Sequence, residues 1–364
     1  MIKFFDLYKQ DRNLHKSILM KIGNLFKKGD FILGKDVEIF EKKFSKFCGA
    51  KYAISCANGT DALTLALKSL NLPRNSEVII PAMTYCSTAF SVIEANLKPI
   101  LVDTGFLSPT ICIEDLKRKI NKKTKVIIPV HLYGSAANLK KIKEIIKKEK
   151  IFLIDDCAQA HGAYDDNIPN KKKIGSTTDI SCFSLYPGKN LGAYGDAGIM
   201  TTNNLTLFKR LRKLRNLGSE KKFSHDVVGI NSRLDTIQAI ILNKKLNYLN
   251  KNNSKRRNIA KFYNLNIVNP KIVKLNYSIS CVFHQYVILS NNRNKLIKLL
   301  NKKKIQYGFH YPYAIHQLSV FKRKFKNKIF VNAEKLAKNS ISLPVDPNLS
   351  KKELNFIIKT LNEF

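Results

Sequence analysis

Between residues 52 and 154 the chain alternates short, uninterrupted apolar runs with segments whose apolar residues recur every three or four positions. The runs are Tyr52-Ala-Ile-Ser-Cys56, Glu77-Val-Ile-Ile80, Pro99-Ile-Leu-Val-Asp103, Lys125-Val-Ile-Ile-Pro-Val130 and Ile151-Phe-Leu-Ile154. A strand with one wet face alternates apolar and polar residues, so a continuous run belongs in a sheet covered on both faces. The segments between them, 61–70, 87–95, 113–119 and 139–148, predict helices. Strand and helix in alternation make a mainly parallel α/β sheet flanked by helices. Two more helices come first, over 36–48 and over 15–28, the latter with Ile18, Leu19, Ile22 and Leu25 on one side.

The pattern changes after residue 245. A helix over Leu234–Leu246 leads into a basic, Asn-rich stretch, Asn247–Arg257. A strand over Cys281–Leu289 and helices over 294–303 and 351–361 follow. With 364 residues the chain exceeds what one ordinary domain needs. The reading is an N-terminal segment and large domain over 1–245, then a smaller α+β domain over 246–364, joined through a long helix.

Lys and Arg number 64 against 27 Asp and Glu, a formal charge of +37. Such a field attracts anions, nucleic acid among them. The lysines, however, recur as short runs: Lys140 to Lys150 in the helix after Leu139, Lys171–Lys173 and Lys302–Lys304. Spaced between apolar residues, they read as solvated helix faces, and nucleic acid is not an expected partner. The longest uncharged stretch, Val78–Ile93, is short and interrupted by Pro81, Thr84, Tyr85 and Ser87, so no membrane span is expected. The N-terminus shows no apolar leader. Seven cysteines without a CxxC pair predict reduced, buried thiols in a cytoplasmic protein.

Four segments carry chemistry. Ligands of open parallel sheets bind at the carboxyl ends of strands, where these segments fall. Asn58-Gly59-Thr60-Asp61 opens a helix; it is a helix cap with a turn glycine, or a cup of free N–H groups for a phosphate. Asp155-Asp156 ends a buried strand, where two carboxylates are costly unless hydrated or used. They cap the next helix, or one of them faces a cation. A protonated ring nitrogen suits better than a metal, because no His or acidic cluster at metal spacing accompanies them. Ser184-Leu-Tyr-Pro-Gly-Lys189-Asn-Leu-Gly192-Ala-Tyr-Gly195-Asp-Ala-Gly198 sets one lysine in a largely uncharged, Gly-rich turn. It is a solvated loop lysine, or an amine made nucleophilic by a lowered pKa. The three glycines echo a dinucleotide fingerprint but do not follow the first strand. Gly229-Ile-Asn231-Ser-Arg-Leu-Asp235 precedes the outgoing helix. A Schiff-base lysine, a carboxylate for a pyridinium, a phosphate cup and an aromatic plate (Tyr85) together call for pyridoxal phosphate.

On these segments the chain resembles the DegT–DnrJ–StrS group of PLP-dependent sugar aminotransferases, which have fold type I. The resemblance extends from Gly29-Asp-Phe-Ile-Leu-Gly34 to Ser342-Leu-Pro-Val-Asp-Pro347. It implies that Lys189 bonds the cofactor and moves the proton. Asp156 would pair with the ring nitrogen, Gln159 reach the ring 3-oxygen and Tyr85 stack on the ring. Gly59, Thr60 and Ser184 would hold the phosphate, and Asn231 the phosphate of the neighbouring subunit's cofactor, making the protein a homodimer. His310, Tyr311 and His316 would lie near the sugar. The implied reaction runs in two halves: glutamate leaves its amino group as pyridoxamine phosphate (PMP), and a nucleotide-linked keto-sugar takes it. The segments around Lys189, Asn231 and His310–Gln317 resemble the enzymes acting on C3 of dTDP-3-keto-6-deoxyhexoses, which make amino sugars for surface polysaccharides and glycosides. A UDP-linked 3-keto sugar, C4 amination and a PLP-binding regulatory protein without turnover are the alternatives.

Overall fold

A computed structural model describes residues 1–166, 172–221 and 223–364. Helices α1 (Leu7–Asp11), α2 (His15–Lys28) and α3 (Lys35–Cys48) come first. Then β1 (Tyr52–Cys56), α4 (Gly59–Ser69), β2 (Glu77–Pro81), α5 (Cys86–Glu94), β3 (Lys98–Val102), α6 (Ile113–Lys119), β4 (Thr124–Ile127), α7 (Leu139–Ile146) and β5 (Phe152–Asp156) alternate. They are followed by β6 (Ile180–Ser184), β7 (Gly198–Thr202), α8 (Leu205–Leu214), a hairpin of β8 (Ser219–Lys221) and β9 (Ser224–His225), and α9 (Thr236–Lys245).

The seven long strands form one sheet in the order β1-β7-β6-β5-β4-β2-β3. Only β7 runs against its neighbours, pairing Tyr52 with Thr202 on one side and Ser181 with Thr201 on the other. The continuous apolar runs have the expected cause. Val78, Ile80, Val126 and Ile154 point into one apolar layer, and Ile79, Ile127 and Leu153 into the layer on the opposite face. Phe40 and Phe44 of α3 close the second layer, Phe44 meeting Phe183 of β6 edge-on at 5.0 Å.

The remainder is α+β: α10 (Leu249–Asn266), β10 (Val273–Lys274), β11 (Tyr286–Leu289), α11 (Arg293–Lys302), α12 (Ser319–Lys322), α13 (Val331–Asn339), β12 (Ser340–Leu343) and α14 (Lys351–Asn362). Its antiparallel sheet β10-β11-β12 has its own apolar layer, which includes Ile259, Tyr263, Ile288, Leu296 and Ile357. A capping box starts α14: Ser350 Oγ accepts from Glu353 N–H at 3.2 Å, and Glu353 accepts from Ser350 N–H at 2.8 Å. The first residues tie the sheets together. Ile2 bridges Ile305, the Phe4 ring stacks on His310, and the buried Asp11 carboxylate pairs with Lys245 at 2.7 Å.

Several sequence expectations change. In the run through Val130 the regular strand ends at Ile127; Ile128 N–H still donates to Ile79 O and Val130 still bridges Asp156, but Pro129 between them has no N–H to continue the ladder. The strand expected over 281–289 is confined to Tyr286–Leu289. Before it, Val282 N–H donates to Gly134 O and Phe283 takes a positive φ, which bends the chain out of the sheet. The Asn-rich stretch begins in a 3-10 turn over Leu246–Tyr248 and continues as the first half of α10, where Asn253 is buried. Of the lysine runs, Lys171 lies outside the described residues. Lys173 is drawn back onto the Phe47 ring, its ammonium 3.7 Å from the centroid, rather than standing in water. All seven cysteines carry free thiols. Among the described residues no helix is long and apolar enough to cross a membrane.

Candidate active site

The carboxyl ends of β1, β2, β5 and β6 share one edge of the sheet, and the four segments meet there. At β1 the chain turns into α4. Asn58 caps that helix: its side chain accepts from Asp61 N–H at 2.8 Å and its carbonyl from Ala62 N–H. The N–H groups of Gly59 and Thr60 stay outside this cap. Gly59 must be glycine, because a Cβ there would stand 2.6 Å from the Cβ of Ser184 at the end of β6. The close approach sets the Ser184 hydroxyl beside the amino end of α4. Thr60 Oγ1 lies 2.7 Å from the hydroxyl of Ser87, in the first turn of α5. Hydroxyls and a helix start form an anion cup.

At β5, Asp156 is buried. One carboxylate oxygen accepts from Thr88 O–H at 2.8 Å and the other from Ala158 N–H at 3.1 Å. Burial still pushes its pKa above the usual carboxylate value, against these bonds and the charge of Lys189. Lys189 sits in the turn after β6, whose tightness needs Gly192: a Cβ there would fall 2.3 Å from Pro187 O. Desolvation brings the Lys189 amine down to about 8, while Asp156 pulls the other way. The lysine is thus a partly neutral amine beside a buried anion.

Gln159 closes the group. Its side-chain oxygen accepts from Tyr133 N–H at 2.6 Å, and its amide nitrogen donates to Tyr311 Oη at 2.8 Å, which leaves a second N–H free of that bond. Tyr85, exposed at the start of α5, places its ring 5.4 Å from that of Tyr311. His310 is gripped on three sides. Its Nδ1 is 2.7 Å from Ser342 Oγ, its ring stacks on Phe4, and its carbonyl accepts from Tyr133 O–H. Burial, with the nearby Lys189 charge, lowers its pKa to about 4, so the ring is neutral.

The structure therefore brings together Gly59, Thr60, Tyr85, Asp156, Gln159, Ser184, Lys189, His310 and Tyr311. Two expected residues stand apart. Asn231 is exposed in the segment before α9, bridged to Asn216. His316 is buried, with Nε2 3.0 Å from Glu334 Oε1 and its ring against Phe330. Its partners belong to α13 and the turn before it, not to the group around Lys189.

Some residues escaped the sequence reading. Asn190, next to Lys189, is held by Asn253 at 2.9 Å and Val282 O at 3.1 Å, which fixes the lysine's turn to the C-terminal part. Ser87 and Thr88 were visible as hydroxyls opening an apolar helix after a strand. Asp155 gained a role only through the fold, which brings His131, Asp155 and Cys157 within 4.8 Å of one another. Ala137 N–H donates to His131 Nδ1, so Nε2 bears the proton and donates to Asp155 at 3.1 Å. The cluster is satisfied by its own hydrogen bonds.

The donor set fits pyridoxal phosphate. An anion cup lies at one end, a buried carboxylate suited to a cationic ring nitrogen at the other, and an amine of lowered pKa is placed among them. The comparisons agree. The sequence matches the DegT/DnrJ/EryC1/StrS aminotransferase family over residues 13–362. It is 38% identical over 366 residues to a dTDP-3-amino-3,6-dideoxy-alpha-D-galactopyranose transaminase of Aneurinibacillus thermoaerophilus, covering 100% of this chain and 99% of that one. It is 36% identical to a UDP-N-acetyl-3-dehydro-alpha-D-glucosamine 3-aminotransferase of Acidithiobacillus ferrooxidans, over 97% and 95% of the two chains. Among solved structures, S. venezuelae DesV in complex with ketimine intermediate superposes with a TM-score of 0.95 at 31% identity, over 100% and 98% of the chains.

Proposed function

The chain belongs to the DegT/DnrJ/EryC1/StrS aminotransferase family, whose members use pyridoxal phosphate, and from that membership we propose that it moves the amino group of glutamate to C3 of a dTDP-linked 3-keto-6-deoxyhexose. The observation that carries the chemistry is the pairing of a depressed lysine amine, Lys189, with a buried carboxylate, Asp156. The full-length likeness to a dTDP-3-amino sugar transaminase favours the substrate. A UDP-linked 3-keto sugar is the second reading, favoured by the relative that acts on one.

When bound, the cofactor supplies a carbonyl carbon that accepts an amine and a cationic ring that draws off the electrons left by a departing α-proton. Gly59, Thr60 and Ser184 hold the phosphate with N–H and O–H donors. Asp156, anionic opposite a cation, keeps the ring nitrogen protonated, and the free N–H of Gln159 meets the ring oxygen. Tyr85 covers one face. With a pKa of about 8, Lys189 Nζ is deprotonated in roughly a tenth of molecules at pH 7. That amine would be the nucleophile, and once free it would take the α-proton of the amino donor and pass it to the cofactor's former carbonyl carbon. Neutral His310 and Tyr311 line the substrate side. The exposed Asn231 serves the phosphate of a second copy, so the working unit is a homodimer. In this reading a large unit over 1–245 carries the cofactor, and a smaller one over 246–364 supplies His310 and Tyr311.

The test is an amination screen with glutamate and 3- and 4-keto sugars on dTDP and UDP, with the product solved by NMR. Nitrogen on C3 of the dTDP sugar is expected. Nitrogen on C4, or turnover only with 4-keto sugars, overturns the regiochemistry.

A further inference from the structure

The first turn of α5, with Thr84 two residues ahead of it, touches both ends of the group described above. Thr84 and Thr88 are buried, and Ser87 is half-buried. Thr84 Oγ1 is 2.9 Å from Thr88 Oγ1, which is 2.8 Å from Asp156 Oδ2. Ser87 Oγ is 2.7 Å from Thr60 Oγ1. Each hydroxyl has one proton to donate, and this decides the direction of both chains. A carboxylate only accepts, so Thr88 donates to Asp156 and Thr84 must donate to Thr88. If Thr60 gives its proton to a phosphate, it can only accept from its neighbour, and Ser87 must be the donor.

We propose that Ser87 and Thr88 are separate positioning residues for the cofactor, Ser87 acting on its phosphate end through Thr60 and Thr88 on its ring end through Asp156. This rests on the assignment of Thr60 and Asp156 to the cofactor made above. Being adjacent on one helical turn, the two residues fix the distance between the cup and the carboxylate. Ser87 aligns the Thr60 hydroxyl and polarises it as a donor. Thr88 fixes the Asp156 rotamer and favours its anion, which Lys189 and His131 also face. Donation along a chain of hydroxyls strengthens the last bond.

The two roles have different readouts in the holoenzyme. Ser87→Ala is expected to raise the dissociation constant of pyridoxal phosphate about five- to tenfold, and to add nothing in a Thr60→Ala background. It leaves the nitrogen-15 shift of ring-labelled cofactor unchanged. Thr88→Val, nearly isosteric, is expected to move that shift toward the unprotonated ring at fixed pH, and Thr88→Ser to restore it. Additive losses in Ser87→Ala/Thr60→Ala, or an unmoved nitrogen shift in folded Thr88→Val, overturn the proposal. If Thr60→Ala leaves cofactor affinity intact and Asp156→Asn leaves the shift intact, the assignment of those two residues falls instead.

Discussion

Asp155 and Asp156 are adjacent at the end of β5, yet their surroundings push their carboxyl groups to opposite sides of the ordinary range. Both are buried, which alone raises a carboxyl pKa. For Asp155 the raising is outweighed by hydrogen bonds from His131, with Ser181 and Thr178, and its pKa is lowered. For Asp156 burial wins, and its pKa is raised. Successive strand residues face opposite sides of a sheet. One carboxylate is therefore locked into the scaffold, while the other keeps unspent affinity for a cation.

Lys189→Ala should abolish the visible absorption band of the cofactor-loaded protein and lower turnover by at least about a thousandfold, since it removes the only amine placed for nucleophilic work in the described site. Absorbance and single-turnover measurements check it. A variant that keeps wild-type rates would refute the assignment.

Asp155→Asn should destabilise the apoprotein by about 3 kcal/mol at neutral pH, because His131 and Thr178 lose a buried anionic acceptor. The sign with pH follows from its lowered pKa. Stability from such a group is complete above the unfolded carboxyl value of 3.8 and is lost as pH falls through the lower folded value. Urea melts of both proteins should converge below pH 3.8; a gap that widens on acidification contradicts the pairing.

Asn231→Ala and Lys189→Ala should complement each other. On the proposed homodimer, a mixed pair would have one site with its own lysine and the other chain's asparagine, so mixing two impaired proteins would restore one working site per pair. If Asn231 serves its own subunit, no activity returns on mixing.

Arg215→Met should cost roughly 3 kcal/mol in thermal or urea unfolding. The guanidinium is buried against Glu41 and also donates to Ser55 O at 2.7 Å. Removal strands the Glu41 carboxylate, which the Ser55 N–H and O–H alone then satisfy. A loss below about 0.5 kcal/mol would mean that water reaches Glu41.

The parallel strands were legible because burial on two faces leaves no polar position in Val78-Ile-Ile or Leu153-Ile. Lys189 was legible because charge is scarce around it in a chain otherwise crowded with lysine. What stayed hidden depends on contacts between distant segments. Nothing near His131 announces Asp155, 24 residues on. Asn253 reads as one more polar residue in a basic run, but the fold buries it under Asn190 and against His161 O. The strand Gly198–Thr202 begins on a glycine and ends on two threonines, with too little apolar length to stand out from its loop. Its direction is a property of its neighbours.

That last strand has a consequence for how the chain is made. In the sheet β1 pairs only with β7, residue 52 opposite residue 202. A ribosome extrudes β1 first, so its N–H and C=O groups wait for a partner through the synthesis of nearly everything that forms the rest of the sheet. An unpaired apolar strand is a template for the wrong neighbour, including the nascent strand of an adjacent polysome chain. The arrangement puts Tyr52–Cys56 under the protection of α3 and α4, which flank it in sequence and are complete long before β7 exists. Slowing translation between residues 70 and 198 should therefore expose this chain to misassembly more than slowing it anywhere later.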